Sequence, residues 1–165
     1  MLEKVISGGQ TGADQAGLFT AKRFGIKTGG YAPKRWMTSE GENPSLKYKY
    51  GLVESAGSGY KSRTWDNVLV SDGTIRLAFR FDSPGEVCTL DAIKRYKKPF
   101  FDVNLYSKPE HLKCSEWIIM NDIKILNIAG NSETGNNKVF LSVENYLTEV
   151  FRILTTQNFI KRIGE

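Results

Sequence analysis

The feature that most constrains this chain is a change of period within its first 25 residues. Residues 4–7 read as a short apolar strand, Gly8-Gly9-Gln10-Thr11-Gly12 breaks it, and Ala13, Gly17, Ala21 and Phe24 then recur at helical spacing until Gly25. A strand, a glycine turn and a helix in that order make a β-α unit, whose crossover favours a parallel partner strand. The alternation continues. Residues 26–32 read as a second strand ending at Pro33, followed by a long connection over residues 34–66 rich in glycine, charge and aromatic rings. Residues 74–81 alternate, with Ile75, Leu77, Phe79 and Phe81 on one side and Thr74, Arg76, Ala78 and Arg80 on the other. A helix follows through Val87, Leu90, Ala92, Ile93 and Tyr96, then a strand over 100–103, a helix over 109–120, a strand over 123–129 and a helix over 139–154. This predicts one α/β domain over residues 1–165, doubly wound, its mainly parallel sheet covered by helices on both faces. Ligands in such folds bind outside the carboxyl ends of the strands.

Composition narrows the function classes. Of 165 residues, 40% are hydrophobic and 25% charged, which fits a folded globular domain and excludes a disordered or coiled-coil chain. The formal net charge of +5 suits an anionic ligand, but the basic residues are spread along the chain, which disfavours a dedicated nucleic-acid binder. No apolar run is long enough for a membrane span, and the charged start Leu2-Glu3-Lys4 does not read as a leader, so a cytoplasmic setting is expected. Cys88 and Cys114 stand alone, which supports neither a zinc site nor a disulfide framework; no metal held directly by the protein is expected.

The chemistry concentrates at the glycine turns. At the first, residues without Cβ atoms let backbone N–H groups approach a phosphate while the helix start supplies positive potential. The pattern is not that of a nicotinamide dinucleotide fold, because Thr28-Gly29-Gly30 stands where an acidic residue should end the second strand, and Ala13-Asp14 replaces the Lys-Ser/Thr of a P-loop. Gln10, Thr11 and Asp14 could add side-chain contacts, although a plain tight turn explains the same residues. Ser83-Pro84-Gly85-Glu86-Val87-Cys88-Thr89 offers a second turn into a helix, with Ser83 as cap in the plainer reading, and Gly130-Asn131-Ser132-Glu133 a third glycine site at the same sheet edge. In the long connection, Lys34, Arg35, Arg63 and Thr64 could close over an anion, and Trp36, Tyr48, Tyr50 and Tyr60 could stack on a ring. Asp72-Gly73 reads first as a turn and second as a ligand contact. His111, the single histidine, reads as a solvated residue.

In order along the chain, residues 5–17 (VISGGQTGADQAG), Thr28-Gly29-Gly30-Tyr31-Ala32-Pro33, Arg63-Thr64, Asn67-Val68, Ser71-Asp72-Gly73-Thr74, Lys98-Pro99 and Leu126-Asn127-Ile128-Ala129-Gly130-Asn131 resemble the molybdenum-cofactor carrier family. That family is similar to the Rossmann-like proteins that include lonely-guy phosphoribohydrolases and the DNA-processing protein that binds single strands. The resemblance implies a Rossmann-like fold, a homo-oligomer and a pocket for a phosphorylated small molecule: the molybdenum cofactor (molybdopterin) or a nucleotide, its metal held by the pterin. By similarity, Gly8, Gly9, Gln10, Thr11, Gly12 and Asp14 would line the phosphate turn, and Gly29, Gly30, Lys34, Arg63, Thr64, Asp72, Gly85 and Thr89 would approach the rest of the ligand, with Gly130 at the same edge.

The hydrolase branch carries P-G-G-x-G-T-x-x-E. This chain keeps Pro84, Gly85 and Thr89 but has Glu86 and Cys88 for two glycines and Ala92 for the glutamate. Asp91, one position earlier, would point about 100° away on a helix. Glu86 would repel a phosphate unless it turned to solvent. Binding without catalysis is therefore the leading expectation, with cleavage of a nucleoside 5'-monophosphate as the alternative, Asp91 or Asp14 serving as acid or base. Single-strand binding is a second alternative, motivated by the positive balance and the aromatic connection.

Overall fold

The computed structural model describes residues 1–135 and 138–163, with side chains as far as Thr156. The strands are β1 (Lys4–Ile6), β2 (Lys27–Gly29), β3 (Tyr31–Ala32), β4 (Met37–Thr38), β5 (Gly41–Glu42), β6 (Val53–Glu54), β7 (Gly73–Ala78), β8 (Phe100–Asn104) and β9 (Ile125–Gly130). The helices are α1 (Ala13–Arg23), α2 (Ser45–Tyr50), α3 (Gly59–Val70), α4 (Pro84–Tyr96), α5 (His111–Met120) and α6 (Val139–Ile163). Five strands form one parallel sheet in the order β2-β1-β9-β7-β8, with Val5 opposite Thr28 and Leu126, and Ile75 opposite Phe101 and Ile128. The fold is α/β and Rossmann-like, as its alternating pattern predicts.

Both faces of the sheet are covered, which is why β7 is buried at every position. On one face α1 and α5 pack against α6, and Ile75, Leu77, Ile128, Val143, Leu147 and Phe151 fill the interface. On the other face α3 packs on α4 around Val68, Ala92 and Ile93. The connections β1-α1-β2 and β7-α4-β8 run toward opposite edges, so the starts of α1 and α4 meet at the carboxyl end of the sheet, where the strand order switches.

Several boundaries differ from the sequence reading. The strand expected over 26–32 divides at Gly30: β2 stays in the main sheet, while β3 pairs with β6 in a sheet of its own. The connection after Pro33 is not a loop but holds α2, the β4–β5 hairpin and most of α3. Its own small core joins Leu46, Tyr50 and Leu52 to Leu18 of α1, so Tyr50 is a packing residue. The strand expected over 74–81 ends at Ala78, because the Phe79 and Arg80 amides donate to Asn131 Oδ1 instead of continuing the ladder. His111 is partly buried, its ring centroid 4.7 Å from that of Tyr146.

At the end of α4, Lys97 adopts φ 52° and ψ 41°, a left-handed conformation that suits glycine. Lys97→Gly is expected to stabilise the protein by about 0.5–1 kcal/mol, read as a higher urea midpoint with an unchanged slope.

Candidate functional site

The Gly8 to Gly12 turn sits at the carboxyl end of β1 and is enclosed on several sides. Arg63 reaches from α3 and fills the space beside Gly8 that a Cβ would need. Gly9 has φ 77°, and a Cβ there would come within 2.7 Å of Leu52 and 2.9 Å of Leu46. Gly12 has φ 82°, with Asn131 O and Glu133 N at 2.5 and 2.6 Å from the Cβ it lacks. A larger side chain at Gly9 would disturb the small core as well as the turn, so it cannot separate binding from folding.

Side chains fix the turn from outside. Gln10 Oε1 accepts from the Thr11 amide at 2.9 Å and from the Ser39 amide at 2.8 Å, while Thr11 Oγ1 lies 2.8 Å from Ser39 Oγ. The segment between β4 and β5 is thereby tied across the turn. Asn131 holds the third side: its carbonyl accepts from the Ala13 amide, its side-chain oxygen accepts from Phe79 and Arg80, and its side-chain nitrogen donates to the Arg80 carbonyl. Among the described residues, the Gly9 and Gly12 amides have no hydrogen-bond acceptor.

A buried row of charge lies behind the turn. Asp14, 3% exposed, accepts from the Gln10 amide and pairs with Arg63 at 3.0 Å. Burial raises its carboxyl above the usual range, and the Arg63 guanidinium opposes that rise. Glu86, on the first turn of α4, points inward and is 2% exposed. Its Oε2 lies 3.9 Å from Arg76 and accepts no hydrogen bond. Arg76 is spent mainly on Asp102, donating from Nε at 2.8 Å and from its second nitrogen to the other carboxylate oxygen. Burial therefore pushes Glu86 up to about 7; Arg76 pulls it down, and Asp14 and Asp102 add to the rise. The buried Arg63 Nε is also without a partner.

A sequence profile of the circularly permutated YpsA SLOG family matches residues 5–151. The chain belongs to that family. Among solved structures, this SLOG chain is similar to a protein from Syntrophus aciditrophicus SB provisionally named a molybdenum carrier, with 34% identity and a TM-score of 0.81 over 91% of this chain and 94% of the other. No curated protein matches it. The family and the solved relative agree with the resemblance carried by the glycine blocks.

The SLOG fold brings together Gly8, Gly9, Gln10, Thr11, Gly12, Asp14, Arg63 and Gly30, the last with φ 123° and packed on the Ser7 backbone. Gly130 closes the same edge, where a Cβ would meet the Leu77 carbonyl and Ala13. Gly29 accepts the Ser7 amide through its carbonyl. Thr64 and Thr89 are buried and spend their hydroxyls on the carbonyls one helical turn back, Tyr60 and Gly85, while Gly85 itself is exposed at the start of α4. Lys34 is exposed on a short 3-10 turn (Lys34–Trp36). Asp72 lies apart, at the amino ends of the strands, where it accepts from the Lys124 and Ile125 amides and pins the start of β9. Asp91 is exposed. Two side chains central to this edge, Glu86 and Asn131, have roles that their motifs do not disclose; Glu86 turns to Arg76 and not to solvent. Its signal was Ser-Pro-Gly-Glu at a helix start, where glutamate ordinarily reaches back to the cap. Here Ser83 Oγ accepts the Glu86 amide, and the carboxylate goes inward. Among the described residues, no group of three or more His, Cys, Asp or Glu could hold a metal ion, and no helix is long and apolar enough to cross a membrane.

Proposed function

We propose that this chain binds a small phosphorylated molecule, a pterin cofactor or a nucleotide, at the Gly8 to Asp14 turn, and that it carries or senses this ligand without transforming it. The observation that carries the reading is the pair of free amides, Gly9 and Gly12, at the start of α1 beside a segment tied down through Gln10. Such amides and the helix potential favour an anionic oxygen. The solved relative named a molybdenum carrier supports the pterin form of the ligand. In that form the dithiolene of the pterin holds molybdenum, and Gly9, Gly12 and the exposed Lys34 would meet its phosphate. Thr11 and Gly30 lie at the same edge for the remainder of the ligand.

One feature favours hydrolysis of a nucleoside monophosphate as a second reading: the Glu86 carboxyl lies behind the turn near Asp14 and Arg63, and burial pushes it up to about 7, as suits a general acid. Its burial without solvent access weighs toward binding.

Native mass spectrometry of anaerobically purified protein tests both readings and records subunit number. A phosphorylated pterin supports the carrier form and a nucleotide the sensor form, while free base released from added AMP, GMP or CMP supports hydrolysis. Protein that is empty and takes up neither pterin nor nucleotide counts against the proposal. Gln10→Ala is expected to weaken retention of the ligand at least tenfold, because it unties residue 39 from the turn without altering the core. Equal retention in the variant would sink the role given to this residue.

A further inference from the structure

The start of α4 holds a charge that the fold does not balance. Glu86 lies in the first turn of that helix, its amide donating to the Ser83 hydroxyl, yet its side chain is turned inward and buried. Arg76 stands beside it on β7 and is committed elsewhere. Its Nε and one terminal nitrogen donate to Asp102 on β8, and the other terminal nitrogen donates to the Glu86 carbonyl at 3.3 Å. The Glu86 carboxylate is left 3.9 Å from that last nitrogen, and its Oε2 accepts no hydrogen bond.

The other charged groups around Glu86 do not supply what is missing. From α1, Asp14 adds a second negative charge, and from β8, Asp102 adds a third. From α3, Arg63 spends its guanidinium on Asp14 at 3.0 Å. Two arginines thus face three carboxyl groups. A buried carboxylate without a full partner is costlier than the neutral acid, so one of the three is best kept protonated. Asp14 has Arg63 and the Gln10 amide, and Asp102 has two donors on Arg76; Glu86 has neither kind of support.

The place of this group gives it a consequence for binding. The starts of α1 and α4 meet at one end of the sheet, and Asp14 is already hydrogen-bonded into the glycine turn through the Gln10 amide. An anion at the turn adds negative charge to the same surroundings and favours the neutral acid at Glu86; by reciprocity, a proton on Glu86 favours the anion equally.

We infer that the glycine turn takes up its anionic ligand together with a proton held on Glu86, so that Glu86 sets the charge the site accepts. The inference rests on the anion-binding reading of the turn. Burial pushes Glu86 up to about 7, which places the exchange in the neutral range. Below that pH the acid is already neutral and an anion meets no repulsion from it. Above it, binding must draw a proton in or face a buried carboxylate, so affinity falls as pH rises.

Sulfate is the probe, because it stays a dianion throughout the neutral range, where phosphate titrates itself. Its binding is read by NMR from the Gly9 and Gly12 amide signals at constant ionic strength. Sulfate affinity is expected to fall about tenfold between about pH 5.5 and about pH 8 in the native protein, and by less than about twofold in Glu86→Gln. Asp14 titrates in both proteins, so the difference between the two profiles belongs to Glu86. A second measurement needs no variant: neutral sulfate added to weakly buffered native protein near pH 7 should make the medium more alkaline as protons are taken up. If the two amides are unmoved by sulfate at about pH 5.5, the anion site itself is wrong and the inference falls with it. If sulfate binds but its affinity is level with pH, if the fall is as large in Glu86→Gln, or if no proton is taken up, the anion site stands and this inference is overturned.

Discussion

Between pH 5 and pH 8 the protein is expected to lose about 2–3 kcal/mol of stability through one side chain, and a Glu86→Gln variant is expected not to lose it. Glu86 is buried against Arg76, but Arg76 already serves Asp102, so the Glu86 carboxylate lacks a hydrogen bond and its pKa rises from 4.5 to about 7. The folded state then holds a proton that the unfolded state has released. Its contribution is full below about pH 4.5, declines as pH rises toward 7 and is gone above about pH 8. Asp14, also raised by burial, acts in the same direction in both proteins, so the difference between the two stability profiles isolates Glu86. Urea denaturation at half-unit pH steps measures it. Parallel profiles would mean that Glu86 is solvated or fully paired.

Removing Arg63 is the second large effect. Arg63→Met deletes the guanidinium that pairs with Asp14 and leaves a buried carboxylate supported by the Gln10 amide. Breaking such a pair from one side costs about 3–5 kcal/mol, whereas removing both charges costs much less. Arg63→Met alone should therefore destabilise strongly at pH 8 and less at pH 5, where Asp14 can take up a proton. Combining it with Asp14→Asn should recover about 2 kcal/mol or more relative to additivity. Additive single changes would show that the two side chains do not depend on each other. Both predictions concern the charge behind the turn and are independent of ligand.

What the sequence revealed follows from where apolar periodicity coincides with burial. β7, α4 and the inward face of α6 carry their apolar residues at the expected spacing, and the order of strands and helices was legible from them. Helix α3 was not, because its buried residues are Thr64, Asn67 and Val68, and Arg63 beside them points into the site. A helix that turns polar groups inward has no apolar stripe to read. Asn67 shows what that face does: its side chain bonds both the N–H and the carbonyl of Tyr31 and also the Arg63 carbonyl, joining β3 to α3. Arg76 was hidden in a similar way. Alternation placed it on the less apolar side of β7, yet α4 covers that side and makes it 3% exposed. The glycine turn was legible because its spacing is local; the company that Glu86 and Asn131 keep there is set by crossovers many residues long.

The small sheet of β3 and β6, with Leu46, Tyr50 and Leu52 beneath it, is joined to the rest of the molecule through Leu18 and Phe19 of α1, through the Asn67 side chain of α3, and through Gly9 of the turn, which packs on Leu46 and Leu52. Substitutions inside this lobe should couple to substitutions in the turn and in β2, where Thr28 donates to the Tyr50 carbonyl, and combine nearly additively only with those at the far edge of the sheet in β8. A change within residues 31–54 is felt at the glycine turn, through Leu46 and Leu52 against Gly9 and through Ser39 on Gln10. The segment that looks least regular in sequence is thus a wall that shapes the turn from outside.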